Sequence, residues 1–146
     1  MDRPVAPYAR TLGDAGGRAG DGLFHNAPYP VKLAHAYYLQ RSGDMPEASK
    51  IFNDVLEANR KAIAAGTDWP LAFMQNAAVH ALRGETSAAL DDIDRAYTAG
   101  WRDGHTMAID PLLASLRSEQ RFTAVLSRIQ RDVAAMRTRA DYSGLP

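Results

Sequence analysis

The groups with any capacity for chemistry are four histidines, a trio of aspartates, a glycine-rich run and a basic C-terminal stretch. The histidines are His25, His35, His80 and His105. No two are spaced as His-x3-His and no His-Glu-x-x-His occurs, so no helical face gathers imidazoles as a zinc site requires. His35 and His80 fall in helical stretches and read as packing or surface residues. Cysteine is absent, which removes thiol nucleophiles, disulfides and thiolate metal sites. No Gly-x-Ser-x-Gly elbow offers a serine nucleophile. No cofactor, metal or catalytic residue is expected, and the chain reads as a non-enzyme.

The run from Leu12 to Gly22 is dominated by glycine. A phosphate-cradling loop needs Lys-Ser or Lys-Thr behind its glycines and a helix opening promptly after them, and neither follows here. Gly16–Gly22 faintly suggests a calcium-binding nonapeptide, but the spacing is wrong and no tandem copy stacks beside it. The run therefore reads as linker. Asp91, Asp92 and Asp94 lie on a helical stretch, where 91 and 94 are neighbours and 92 points elsewhere. An EF-hand loop needs a central glycine and a distant glutamate, both missing, so the trio reads as a solvated face with Arg95 nearby. Residues 117–139 carry six arginines against Glu119 and Asp132. An acidic partner or nucleic acid is one reading and a solvated outer face is the other. No aromatic residues interleave for base stacking, and the 146-residue chain is formally neutral, so nucleic acid is not expected.

The elements that would position these groups are helices. Alanine is the commonest residue type, and arginine far outnumbers lysine. Such alanine-rich composition favours helix, and no alternating strand pattern competes. Residues 1–28 read as an irregular Gly/Pro-rich arm, with Leu23-Phe24 as its one apolar spot. Helices are expected at about 30–42, 46–65, 70–82 and 86–99, the second capped by Asp44 and ended by Gly66. Residues 100–109 read as a loop. Asp110-Pro111 starts a short helix over 111–117. The last helix, about 119–140, puts Phe122, Val125, Leu126, Ile129, Val133 and Met136 on one stripe. Residues 141–146 read as a tail. No stretch is long and apolar enough to span a bilayer, and no N-terminal signal pattern is visible. The cytoplasm is then the default compartment.

Sliding the chain until Ala36 falls on Ala77 superimposes two helix pairs. At that one offset Gly43 falls on Gly84, Asp44 on Glu85, Ala48 on Ala89, Phe52 on Ile93 and Val55 on Ala96. The small residues sit where helices must approach, and each glycine sits in the turn of a pair. This pattern resembles the tetratricopeptide repeat (TPR), a helix-turn-helix unit of about 34 residues. The match covers about residues 29–103, with repeats at 29–66 and 70–103. The departures are Lys32 where the family has an aromatic, matched only by Phe73 in the second repeat, and Arg60 and Trp101 where it has proline. The offset is longer than the family's, and the extra residues fall around 63–69. The pieces Ala99–Asp103, Asp110–Arg117, Arg121–Leu126 and Asp132–Arg137 look like the ending of bacterial TPR regions, which often trail another domain.

The resemblance implies an all-α right-handed stack of about two repeats, capped by helices within 111–140. It implies a concave groove lined by the first helix of each pair. By the alignment these residues are Leu33, Tyr37, Gln40 and Arg41, then Met74, Ala78, Ala81 and Leu82. The family's lysine–asparagine–arginine carboxylate clamp is not carried over, since Arg41 alone supplies a comparable charge. The groove reads as apolar, suited to a peptide or helix of an unidentified protein partner. Its second reading is self-association, with the groove filled by the arm or by a second copy in a homodimer. Several groove positions have a plain alternative as core, and an irregular helical bundle is the alternative fold.

Overall fold

The computed structural model describes residues 31–66 and 69–142. Over that range the protein is all-α, with no strand among the described residues. The elements are α1 (Val31–Ser42), α2 (Met45–Ala64), α3 (Pro70–Leu82), α4 (Thr86–Thr98), α5 (Gly104–Ile109), a 3-10 helix (Pro111–Leu116) and α6 (Gln120–Tyr142). The expected arm, including Leu23-Phe24, lies outside the described residues. α6 continues to Tyr142, the last described residue, and the rest of the expected tail lies outside the described residues.

The repeat seen in the sequence is geometric as well. Gly43 and Gly84 both take left-handed φ values, +93° and +74°, where a side chain would be strained. The Gly43 amide donates to the Gln40 carbonyl at 3.2 Å and Asp44 to Leu39 at 2.9 Å. The same two bonds recur from Gly84 to Ala81 at 3.1 Å and from Glu85 to His80 at 2.8 Å. These bonds satisfy carbonyls that a helix end leaves without partners. Asp44 then caps α2 by accepting from the Glu47 amide at 3.3 Å. Glu85 holds the equivalent place before α4 without a side-chain cap, because its carboxylate pairs with His80 instead.

Four alanines, Ala36, Ala48, Ala77 and Ala89, have no exposed surface at all. Their methyls let facing helices approach closely, and Phe52 and Ile93 fill the space one turn on, each 1% exposed. α1 packs on α2, α2 on α3, and α3 on α4. The 3-10 helix then lies against α3, and α6 against α4. The extra residues of the first unit sit in α2, which has 20 residues against 13 in α4. Asn59 ties this extension to α3. Its Nδ2 donates to the Ala72 carbonyl at 3.3 Å and to Asn76 Oδ1 at 2.9 Å.

Two expectations are corrected. Residues 100–109 are not all loop, because α5 occupies Gly104–Ile109. Its cap is Asp103, which accepts from the Thr106 amide at 3.0 Å and from the Thr106 hydroxyl at 2.6 Å. Gly104 is small for a packing reason: a Cβ there would meet Ile129 Cγ2 at 3.1 Å. Met136 is not sealed with the rest of the C-terminal stripe. Phe122, Val125 and Ile129 are buried, whereas Met136 is 48% exposed, beyond the reach of α4. The segment after Asp110 is a 3-10 helix that buries Leu112, Leu113 and Leu116.

Replacing Phe52 by alanine leaves a cavity at the centre of the first pair. We expect Phe52→Ala to lower the unfolding free energy by about 3–5 kcal/mol in denaturant titrations. A loss below about 1 kcal/mol contradicts this packing.

Candidate functional site

The C-terminal end of α3 is where three elements meet. A helix end presents carbonyls with no partner in the next turn. Here a neighbouring element supplies the partner for Leu82, and another adds a second donor to Ala81, which already accepts from Gly84. Gln40 Nε2 of α1 donates to the Leu82 carbonyl at 2.7 Å, and Ser115 Oγ of the 3-10 helix donates to the Ala81 carbonyl at 3.5 Å. Between these elements lies a cleft of about 360 Å³. Its apolar surface comes from Tyr37, Leu82, Pro111 and Leu112. Arg41 and Arg117 stand beside them from opposite elements.

Among the described residues no carboxylate lines this cleft, and neither Arg41 nor Arg117 forms an ion pair. The Arg41 guanidinium lies 5.7 Å from the centre of the Tyr37 ring, a cation–π contact. Arg117 donates to the Asp110 carbonyl at 3.1 Å, which orients its side chain without neutralising it. Two oriented guanidiniums over an apolar floor accept carboxylates through paired N–H donors.

The eight groove positions read from the sequence divide cleanly. Tyr37, Gln40, Arg41, Ala81 and Leu82 come together at this cleft. Leu33, Met74 and Ala78 do not, since they are at most 1% exposed and form part of the core. α2 packs on the Ala72–Asn76 side of α3 and the 3-10 helix on its Ala81 side, so a helix that would line an open groove is wrapped instead. Gln40 is at the cleft, but its amide nitrogen is engaged by α3. Pro111, Leu112, Ser115 and Arg117 were missed as lining residues. The Asp110-Pro111 start signal located their helix, but nothing local shows that it lands beside α1.

Most other charged groups are engaged within the fold. Arg121 joins the first turn of α6 to α4, reaching Asp91 at 2.9 Å and Asp94 at 2.6 Å. Asp92 points away from that face and is buried, 3.0 Å from Arg95 and 3.6 Å from His80 Nε2. His80 Nδ1 meets Glu85, so its ring spans two carboxylates. Burial pushes the Asp92 carboxyl above its ordinary range, with Arg95 and His80 opposing. The Tyr97 hydroxyl donates to Asp132 at 2.8 Å, which raises its pKa, and Arg102 pairs with the same carboxylate at 3.0 Å. On exposed α2, the hydrogen bond from Arg60 pulls Glu57 down to about 2. No group of three or more His, Asp or Glu side chains among the described residues is placed to hold a metal. No helix among them is long and apolar enough to cross a membrane.

Comparison with family models, with curated proteins and with solved structures finds no match for this chain.

Two outcomes follow from this geometry. Gln40→Ala leaves the Leu82 carbonyl without its partner, and we expect a stability loss of about 1 kcal/mol in thermal or denaturant unfolding. An unchanged stability contradicts the role of Gln40 as a cap on α3. The two perturbed carboxyls also act in opposite directions on stability. The folded Asp92 binds its proton more tightly than the unfolded chain, so its contribution is full at low pH and is lost as pH rises from the ordinary aspartate range through its raised midpoint. Glu57 contributes above the ordinary glutamate range, and that contribution is lost as pH falls towards 2. Carboxyl-detected NMR titration is expected to place Asp92 above and Glu57 below their usual midpoints. The reverse order rules out this assignment.

Proposed function

We propose that this chain is a non-catalytic protein-interaction module of TPR-like build, and that the cleft at the end of α3 holds a peptide of a partner protein. The observation that carries the reading is the pair of arginines, Arg41 and Arg117, beside apolar lining residues in a cleft where the described residues place no carboxylate. A segment with one apolar anchor and one carboxylate, either acidic side chain or chain end, satisfies both halves of that surface. The recurrence of turn bonds, buried alanines and left-handed glycines at one fixed offset supports a TPR-like stack of two units. The 3-10 helix and α6 then serve as the third layer that two repeats require.

On this reading the partner contacts the edge formed by Tyr37, Arg41, Leu82 and Arg117, which line the cleft, since the other flank of α3 is buried. The cleft is shallow enough that a few residues of ligand fill it, so affinity in the micromolar range is expected on size alone, roughly 8 kcal/mol or less.

Panning a peptide library on the whole protein tests the reading. Enriched peptides are expected to pair an apolar residue with a nearby Asp, Glu or free C-terminus. Arg41→Ala and Arg117→Ala are each expected to weaken them by about tenfold, in line with loss of one charged hydrogen bond. Enrichment that ignores acidity, or affinities unmoved by both arginine variants, sinks the proposal.

A further inference from the structure

A second surface lies between α5 and α6. α6 has 23 residues and is about 34 Å long, whereas its main support, α4, has 13. The apolar stripe of α6 therefore outruns the body. Phe122, Val125 and Ile129 are sealed, Leu126 and Val133 are half-buried, and Met136 is exposed. α5 forms the facing wall, drawn tight at Gly104, where any side chain would press on Ile129. The trough between them, which Ala134 also lines, encloses about 480 Å³.

Polar groups decide what suits this trough. Arg137 lines it from α6 and the His105 imidazole, with a ring N–H to donate, from α5, while Arg102 and Asp103 also line it but are engaged within the fold. Along α6, Arg128, Arg131, Arg137 and Arg139 form no ion pair among the described residues, whereas Arg121 holds two aspartates. The nearby acids are already engaged. Asp132 receives Tyr97 and Arg102, and Asp103 caps α5. The helix dipole favours Arg137 and Arg139 near the end of α6, but it does not account for an apolar stripe left open beside them. A second copy laid with α6 against α6 would set arginine against arginine.

We infer that the α5–α6 trough docks an acidic amphipathic helix from another protein. Its apolar residues seat on Leu126, Val133 and Ala134, and its flanking carboxylates meet His105 and Arg137. This is the helix-in-groove mode, with anchors at helical spacing supplying affinity and charge setting the partner. The site is separate from the cleft at the end of α3 and does not depend on it.

The probe is a synthetic 18-residue helical peptide with a Leu/Ala stripe flanked by glutamates, labelled for fluorescence anisotropy and added to the whole protein. A scrambled peptide of the same composition and a single-stranded oligonucleotide are run beside it, with light scattering on the protein alone. The striped peptide is expected to bind at least tenfold tighter than the scrambled one. Ala134→Glu and Arg137→Glu change positions outside the sealed core, so the fold is kept, and each is expected to weaken binding at least tenfold. Arg41→Ala and Arg117→Ala are expected to leave it unchanged, which separates this site from the other cleft. Equal binding of both peptides, or tighter binding of the oligonucleotide, overturns the inference in favour of a general polyanion surface. A stable dimer that Ala134→Glu dissolves overturns it in favour of a second copy, and absence of binding at 100-fold excess peptide overturns it outright.

Discussion

Everything in this fold leans on the burial of α3. Seven of its thirteen residues are buried, and three of them, Ala77, Ala78 and Val79, have no exposed surface. α2 and α4 lie along it, and the 3-10 helix closes on it. Such encasement is feasible because the residues are small. Alanine at 72, 77, 78 and 81 lets neighbouring backbones approach, and larger side chains there would force helices apart at a cost of about 1–3 kcal/mol each. The same rule holds at Ala36, Ala48 and Ala89, where the other helices cross.

The candidate cleft lies where this buried helix ends. Backbone amides of Arg83, Gly84 and Glu85 already serve Val79, Ala81 and His80, while Gln40 supplies the partner of the Leu82 carbonyl and Ser115 adds a second donor to Ala81. These contacts tie α1 and the 3-10 helix to the end of α3, with Tyr37, Arg41 and Arg117 around the same cleft. α6 is pinned to α4 by Arg121 and by the Tyr97–Asp132–Arg102 cluster. Those ties hold α6 as far as Asp132, and residues 134–140 are exposed.

The helices and their pairing were legible because local signals agreed with one another. Gly43 and Gly84 marked turns that take left-handed φ, Asp44 and Asp110 marked caps that are made, and the alanines recurring at one offset marked helix crossings. The extra residues of the first unit were expected around 63–69, in an extended second helix and the Trp69-Pro70 turn; α2 is extended, but it ends at Ala64, so the added length lies earlier in the chain. The site was half legible. Tyr37 and Arg41 were found from helical register, but Leu33, Met74 and Ala78 share that register and are core. Register says which face a residue is on, not whether another element covers that face. Arg117 was read only as part of a basic stretch, because it lies far from Arg41 along the chain. α5 was hidden because Gly100 and Gly104 look alike in sequence, yet one closes a helix at φ +110° and the other admits Ile129.

The central claim is that a repeated helical stack is organised around α3, with its surfaces hung from that frame. Native-state amide hydrogen exchange tests this directly, because it reads the opening free energy of each helix separately. The account predicts that amides in the middle of α3, around Ala77–Val79, exchange last. Protection then falls outward through α2 and α4 to α1 and the second half of α6. Protection in α1 or in the last turns of α6 that equals or exceeds that of α3 would contradict it.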